Sequence, residues 1–272
     1  MNNTIEQLPG IEFGLPADEY RKRPGINIST LKAMSVSPAH YFTEMMRVED
    51  EPTEAQIIGK ITHSAILEED FEDFHVRPLD LSFATKEGKA WRDAHSDKPI
   101  IHQETAGHIA GMLASVKAHP LASKLLRGVG DNEVSGWAMD KPTGLLLKGR
   151  ADRITQDDTG KTTIVDLKTI GYAEGDKEGF EKALASWSYH RQAAHYLDIF
   201  EASFFIFIAV EKLPPYAVAC YQVDDDDIAF GRFQNLRDLR AVATCRESGE
   251  WPAYGNDIVT VKLPHWAKKK ET

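Results

Sequence analysis

The chain has 272 residues, 42% of them hydrophobic and 27% charged, and its 32 Lys plus Arg against 42 Asp plus Glu give a formal charge of -10. That is enough apolar material for one substantial core, and the acidic balance excludes a generally basic nucleic-acid coat, so any polyanion must meet a local basic face. Two cysteines, Cys220 and Cys245, stand far apart and outside any CxxC spacing, which leaves a disulfide framework, a cysteine zinc site and a four-cysteine iron-sulfur cluster without support.

The start, MNNTIEQLPG, has no basic segment followed by an apolar run, and the longest apolar stretch, 204–210, is much too short to span a bilayer. A cytoplasmic protein with no membrane partner is therefore expected. Residues 1–27, with Pro16, Pro24, Gly10, Gly14 and Gly25, read as an extended lead-in with turns rather than a packed element. Ser29 can cap a helix carrying Leu31 and Met34, and Ser37-Pro38 places proline in the first turn of a helix through Tyr41, Phe42, Met45 and Met46. Helical patterns follow at 57–69, 86–97 and 104–118, the last stopped near Pro120. From Glu133 the texture changes: EVSGWAMD, TGLLLKGRADRI and KTTIVDLKTI, separated by KPTG and QDDTG, read as a meander of antiparallel strands. A helix over 180–200, strands FFIFIAVE and YAVACYQV, and a long helix over 224–247 complete the pattern. No repeat or linker divides it. A single α/β domain over 1–272 is expected, mostly helical through 128, with the core sheet in 129–272.

The chemistry concentrates in Lys148-Gly149-Arg150-Ala151-Asp152-Arg153 and Asp166-Leu167-Lys168. If the two strands fold about Asp158-Thr159-Gly160, positions whose numbers sum to about 318 face each other, setting Asp152 opposite Asp166 and Arg150 opposite Lys168. Alternation puts Lys148, Arg150 and Asp152 on one face, and Asp166 and Lys168 on one face of the next strand. Opposed like charges repel, so such a patch asks for compensation by ligands. A hard cation such as Mg²⁺, held by both carboxylates and the Leu167 carbonyl, relieves one half, and a polyanion meeting the cations relieves the other. The bland alternative is an exposed hairpin with solvated charges. Gly59 and His63, and Gln192 and Tyr196, each lie one helical turn apart and can present polar groups to the sheet.

In this order the motifs G-x-x-x-H (Gly59, His63), G-x-x-D-R (Gly149, Asp152, Arg153), D-x-K (Asp166, Lys168) and Q-x-x-x-Y (Gln192, Tyr196) resemble the RecB-type branch of the PD-(D/E)XK nucleases. The lead-in (Tyr20, Gly25, Ile28, Ser29, Leu31, then Ser37-Pro38-Ala39-His40-Tyr41), Glu211-Lys212, Pro214-Pro215-Tyr216, Gly249-Glu250-Trp251-Pro252 and Leu263-Pro264-His265-Trp266 are similar to RecE-like phage-type exonucleases. The resemblance implies a restriction-endonuclease-like core, a central mixed β-sheet flanked by helices, with a helical N-terminal elaboration. It also implies a Mg²⁺-dependent exonuclease, with Mn²⁺ able to substitute, that degrades linear duplex DNA 5′ to 3′ for a RecT-type annealing protein, and a homo-oligomeric ring of four subunits, or three. By the same resemblance Asp152, Asp166 and the Leu167 carbonyl hold metal, His63 stands on the metal or phosphate side, and Lys168 is the catalytic lysine. Glu133 is an upstream acidic candidate for the metal. Gln192 and Tyr196, with Arg191, Arg150 and Lys148 as further cations, are candidates for DNA contact. Three alternatives stay open: an endonuclease, a single-strand nuclease, and a DNA-end-binding module without activity.

Overall fold

A computed structural model describes residues 10–47, 52–68, 74–156 and 159–263. Pro264-His265-Trp266 and Asp158 of the expected hairpin turn lie outside them. Six strands form one sheet in the order β1 (Gly10–Glu12), β4 (Gly130–Asp140), β5 (Leu145–Gln156), β6 (Thr162–Ile170), β7 (Phe204–Glu211) and β8 (Val218–Gln222); β2 (His75–Arg77) and β3 (Ile100–His102) form a small parallel pair. Neighbours in the large sheet are antiparallel except β6 and β7, which run parallel. Parallel strands need a crossover, and here α8 (Lys177–Ser186) and α9 (Tyr189–Phe200) supply it. The sheet is thus mixed and flanked by helices, as the sequence leads one to expect.

β6 and β7 are central and covered on both faces, which is why β7 reads as an unbroken apolar run rather than an alternating one. Ile164, Phe205, Phe207 and Ala209 join a core with Leu31, Tyr41, Ala193, Leu197 and Val242. Those partners come from α2 (Ile28–Lys32), α3 (Pro38–Met46), α9 and α10 (Asp225–Ser248). Val165, Leu167, Ile208 and Val210 point the other way, into a second core with Ile61, Ile109, Met112 and Ala122. These belong to α4 (Glu54–Leu67), α6 (Gln103–Ala118) and α7 (Pro120–Arg127), while α5 (Lys86–Ala94) lies between the two small strands in sequence.

Several expectations are corrected. Residues 10–27 are not a loose lead-in: they supply β1 and α1 (Ala17–Lys22), Ile26 bridges to Leu147, and Trp137 Nε1 donates to the Pro24 carbonyl at 3.1 Å. Asn27, not Ser29, caps α2, its Oδ1 accepting from the Thr30 amide at 2.8 Å. Pro120 stops α6 but also opens α7, proline being suited to the first helical turn. The stretch 180–200 is two helices, broken at Ser188, which is left-handed with φ 51°. The hairpin register obeys the expected sum of 318 from Gln156 opposite Thr162 to Arg153 opposite Val165, and there it ends, so Asp152 with Asp166 and Arg150 with Lys168 are not ladder pairs.

Candidate active site

The ladder is interrupted on both sides of Asp152. β4 pairs Asn132 with Arg153 and Val134 with Ala151, passing over Glu133 and Asp152, and Glu133 has a φ of 54°. On the other side β5 leaves β6 after Arg153. The Leu167 amide, left without a β5 carbonyl, donates instead to Asp152 Oδ2 at 2.8 Å. A strand residue's N–H and C=O point to the same side, so the Leu167 carbonyl also turns toward the opening.

Into this opening come four polar side chains. Asp166 is buried at 2% exposure; its Oδ1 accepts from Gln192 Nε2 at 2.6 Å, and Lys168 Nζ stands 2.7 Å from its Oδ2. The 2.7 Å contact pairs the ammonium with Oδ2, and no other group among the described residues bonds that oxygen. His63, on α4, places Nδ1 3.4 Å from Asp152 Oδ2. Burial, then the charge of Asp166, pushes the Asp152 carboxyl up to about 6. For Lys168 burial opposes the charge, but Asp166 and then Asp152 outweigh it and the ammonium is held above its ordinary value. Its Nζ also lies 4.8 Å from the centre of the Tyr189 ring, which the break at Ser188 brings there.

These groups fit a hard divalent cation. Two carboxylates at close quarters share the one ammonium of Lys168, and the second resists ionisation, so the pair is short of positive charge, and a backbone carbonyl faces the same opening. Among the described residues no three His, Cys, Asp or Glu side chains are arranged to hold an ion. The fitting donors are therefore the oxygens of Asp152, Asp166 and Leu167, with His63 beside Asp152.

The remaining candidates lie elsewhere or have structural duties. Lys148 is buried, its Nζ donating to the carbonyls of Tyr20, Arg21 and Arg23 at 3.3, 3.1 and 2.7 Å. Arg150 donates to Glu133 and to the Leu15 carbonyl, both at 2.5 Å. Both cations thus fasten the N-terminal segment to the sheet rather than facing DNA, and Glu133 is engaged with Arg150 instead of the carboxylates. Arg191, proposed for DNA, is 2% exposed and bonded to Asn235 at 2.8 Å and Asp238 at 2.7 Å across the α9–α10 interface. Gln192 orients Asp166. Tyr196 packs against Gly149, where an added Cβ would come within 3.2–3.3 Å of its ring, so the glycine of G-x-x-D-R makes room for this tyrosine. The arginine of that motif, Arg153, donates to the carbonyls of Leu125 at 3.0 Å and Gly128, and to Asn132 Oδ1 at 2.7 Å, tying down the end of α7.

Sequence reasoning missed Lys32. It sits on α2, donates to the Trp187 carbonyl at 2.7 Å, and is pushed down to about 8 by burial and then by the charges of Lys168 and Arg191. Its only sequence signal is its place directly after Leu31 in the RecE-like lead-in.

A mixed sheet whose central hairpin opens to bring two aspartates and a lysine together defines a nuclease of the PD-(D/E)XK type. The chain belongs to the family of the PDDEXK-like domain of unknown function (DUF3799), whose model matches residues 27–264. A candidate exonuclease from Eubacterium rectale has a similar structure, with 14% identity, a TM-score of 0.60, and coverage of 95% of this chain and 99% of that one. An alkaline exonuclease from Laribacter hongkongensis matches at 12% identity over 70% of this chain and 97% of its own, with a TM-score of only 0.30. A search of curated proteins gives no match. Among the described residues no helix is long and apolar enough to cross a membrane.

Proposed function

We propose that the chain is a Mg²⁺-dependent exodeoxyribonuclease acting on the ends of linear duplex DNA. The observation that carries this reading is the buried pair of Asp166 and Lys168, 2.7 Å apart, close to a second carboxylate that resists ionisation. A divalent ion bound there supplies neutralisation of phosphoryl charge and acidification of water. Asp152, Asp166 and the Leu167 carbonyl are the groups to hold it. Gln192 fixes the Asp166 carboxylate so that Oδ2 faces the opening. Lys168, kept protonated by Asp166 and Asp152, offers its ammonium to the negative charge that grows on the phosphate as the water attacks. His63 stands on the Asp152 side, where it can pass a proton to or from water.

Action at ends, the 5′ to 3′ direction, and Mg²⁺ rather than another divalent ion are drawn from the RecE-like resemblance of the lead-in and Glu211-Lys212 motifs. The description of the Eubacterium rectale protein as an exonuclease agrees with end-dependent action. On the same footing we propose a ring of four subunits, which would gather local basic faces around DNA despite the net acidic charge, and a RecT-type annealing protein as consumer of the 3′ single-stranded tails. The test is nucleotide release from end-labelled linear duplex, with closed circular duplex beside it, in Mg²⁺ and in EDTA. Loss of the 5′ label from linear DNA alone, absent in EDTA and in Lys168→Ala, supports the reading; cutting of the circle replaces it with an endonuclease.

A further inference from the structure

The chain is acidic overall, yet one groove of about 930 Å³ is not. It lies between α1, α2 and α3 on one side and the first two turns of α4 on the other, with Lys148 of β5 and Arg246 of α10 also on its wall. Among its described lining residues are the cations Arg21, Lys60 and Arg246, while Arg47 is paired with Glu44 at 3.4 Å and Lys148 is held by its three carbonyls. Ser29, Thr30 and Gln56 add neutral donors.

The groove approaches the carboxylates along one element, α4, although neither Asp152 nor Asp166 lines it. On α4, Gln56 and Lys60 line it, and His63, beside Asp152, follows Lys60 by three residues on the same side of the helix. A polyanion lying along α4 from Gln56 toward His63 would approach the Asp152 carboxylate. The volume is at the upper end of what small-molecule pockets offer, which suits a few nucleotides of one strand and not the width of a duplex.

We infer that this groove binds the phosphodiester backbone of a single DNA strand and delivers it to Asp152 and Asp166, with Lys60 as a direct phosphate contact. The inference rests on the nuclease reading and adds to it the path of the strand. Lys60 is exposed, so changing it leaves the core intact.

The experiment measures binding of a fluorescein-labelled single-stranded 12-mer by anisotropy, in EDTA, across a salt series. The chains compared are wild type, Lys60→Gln, Lys60→Arg and, as a control on a distant exposed lysine, Lys117→Gln. Each phosphate contact on a single strand contributes roughly 0.7 to the slope of log affinity against log salt. Lys60→Gln is expected to bind several-fold more weakly with a slope shallower by about that amount, while Lys60→Arg and Lys117→Gln keep the wild-type slope. A wild-type slope in Lys60→Gln, or an equal loss in Lys117→Gln, overturns the groove and leaves the nuclease reading standing. A wild-type chain that shows no salt-dependent binding to either single strand or duplex also overturns the groove, and the nuclease reading is then decided by nucleotide release in Mg²⁺.

Discussion

The Leu167 amide donates to Asp152 Oδ2 at 2.8 Å, a bond that in an uninterrupted sheet would go to a carbonyl of the neighbouring strand. The exchange opens β5 from β6 where two like charges would otherwise be forced face to face, and it holds one carboxylate at the mouth of the opening. The same exchange turns the Leu167 carbonyl toward that mouth. One substitution of a side-chain acceptor for a backbone one thus makes room for the chemistry.

Asp152 gives the site a pH signature. Its pKa is raised from 3.8 to about 6, so its contribution to stability is full below 3.8 and is lost as pH rises through 6. Because the side chain is one-fifth exposed, the loss is discounted to about 2 kcal/mol. Without divalent ions, wild type should lose thermal stability between pH 4 and 7 relative to Asp152→Asn. Adding Mg²⁺ at pH 7.5 should raise the wild-type melting temperature and do much less for Asp152→Asn or Asp166→Asn. Equal responses in all three chains would separate these carboxylates from metal binding.

His195 carries the opposite sign. It is 2% exposed, its Nε2 lies 3.1 Å from the Lys148 carbonyl, and burial is the first cause that pushes it from 6.5 down to about 4. A depressed folded pKa gives stability that is full above 6.5 and is lost as pH falls toward 4, here about 3 kcal/mol. Urea unfolding at several pH values should show this slope in wild type and a flatter one in His195→Gln. A slope that the substitution leaves unchanged would assign the acid sensitivity to other groups.

Arg191 is an anchor between helices, so Arg191→Ala should lower stability by about 2–3 kcal/mol: buried Asp238 keeps Arg237 but loses the Arg191 bond, and Asn235 loses its donor. The salt dependence of DNA binding should stay as in wild type for whatever fraction remains folded. Denaturant titration and anisotropy on the same preparation read the two quantities. A stable Arg191→Ala chain with a shallower salt slope would return Arg191 to the DNA surface.

Gly136 on β4 packs directly under α9: an added Cβ would stand 2.5 Å from Phe200 and 2.9 Å from Ile199. Gly136→Ala should destabilise the fold by about 1–3 kcal/mol through overpacking. Gly59→Ala, on α4 with open space around its Cβ position, should be neutral or slightly stabilising. Urea midpoints of the two variants test the contrast.

The sequence by itself determined the three-strand meander, the central apolar strand and the helix after Ser37-Pro38, because each rests on local periodicity and turn or cap chemistry. It also brought Asp152, Asp166 and Lys168 to one hairpin, since strand alternation and the register are short-range consequences of the chain. Tertiary structure alone decided what the neighbouring cations do. Lys148, Arg150 and Arg191 look like candidates for phosphate when read as charges along a chain; only the fold shows the carbonyls and carboxylates, up to 135 residues away in the case of Leu15 and Arg150, that already occupy them. The same is true of Lys32 and the basic groove, which exist because helices distant in sequence pack side by side. Local patterning encodes which face a residue takes, but the partner it meets there is set by contacts whose sequence separation no periodicity records.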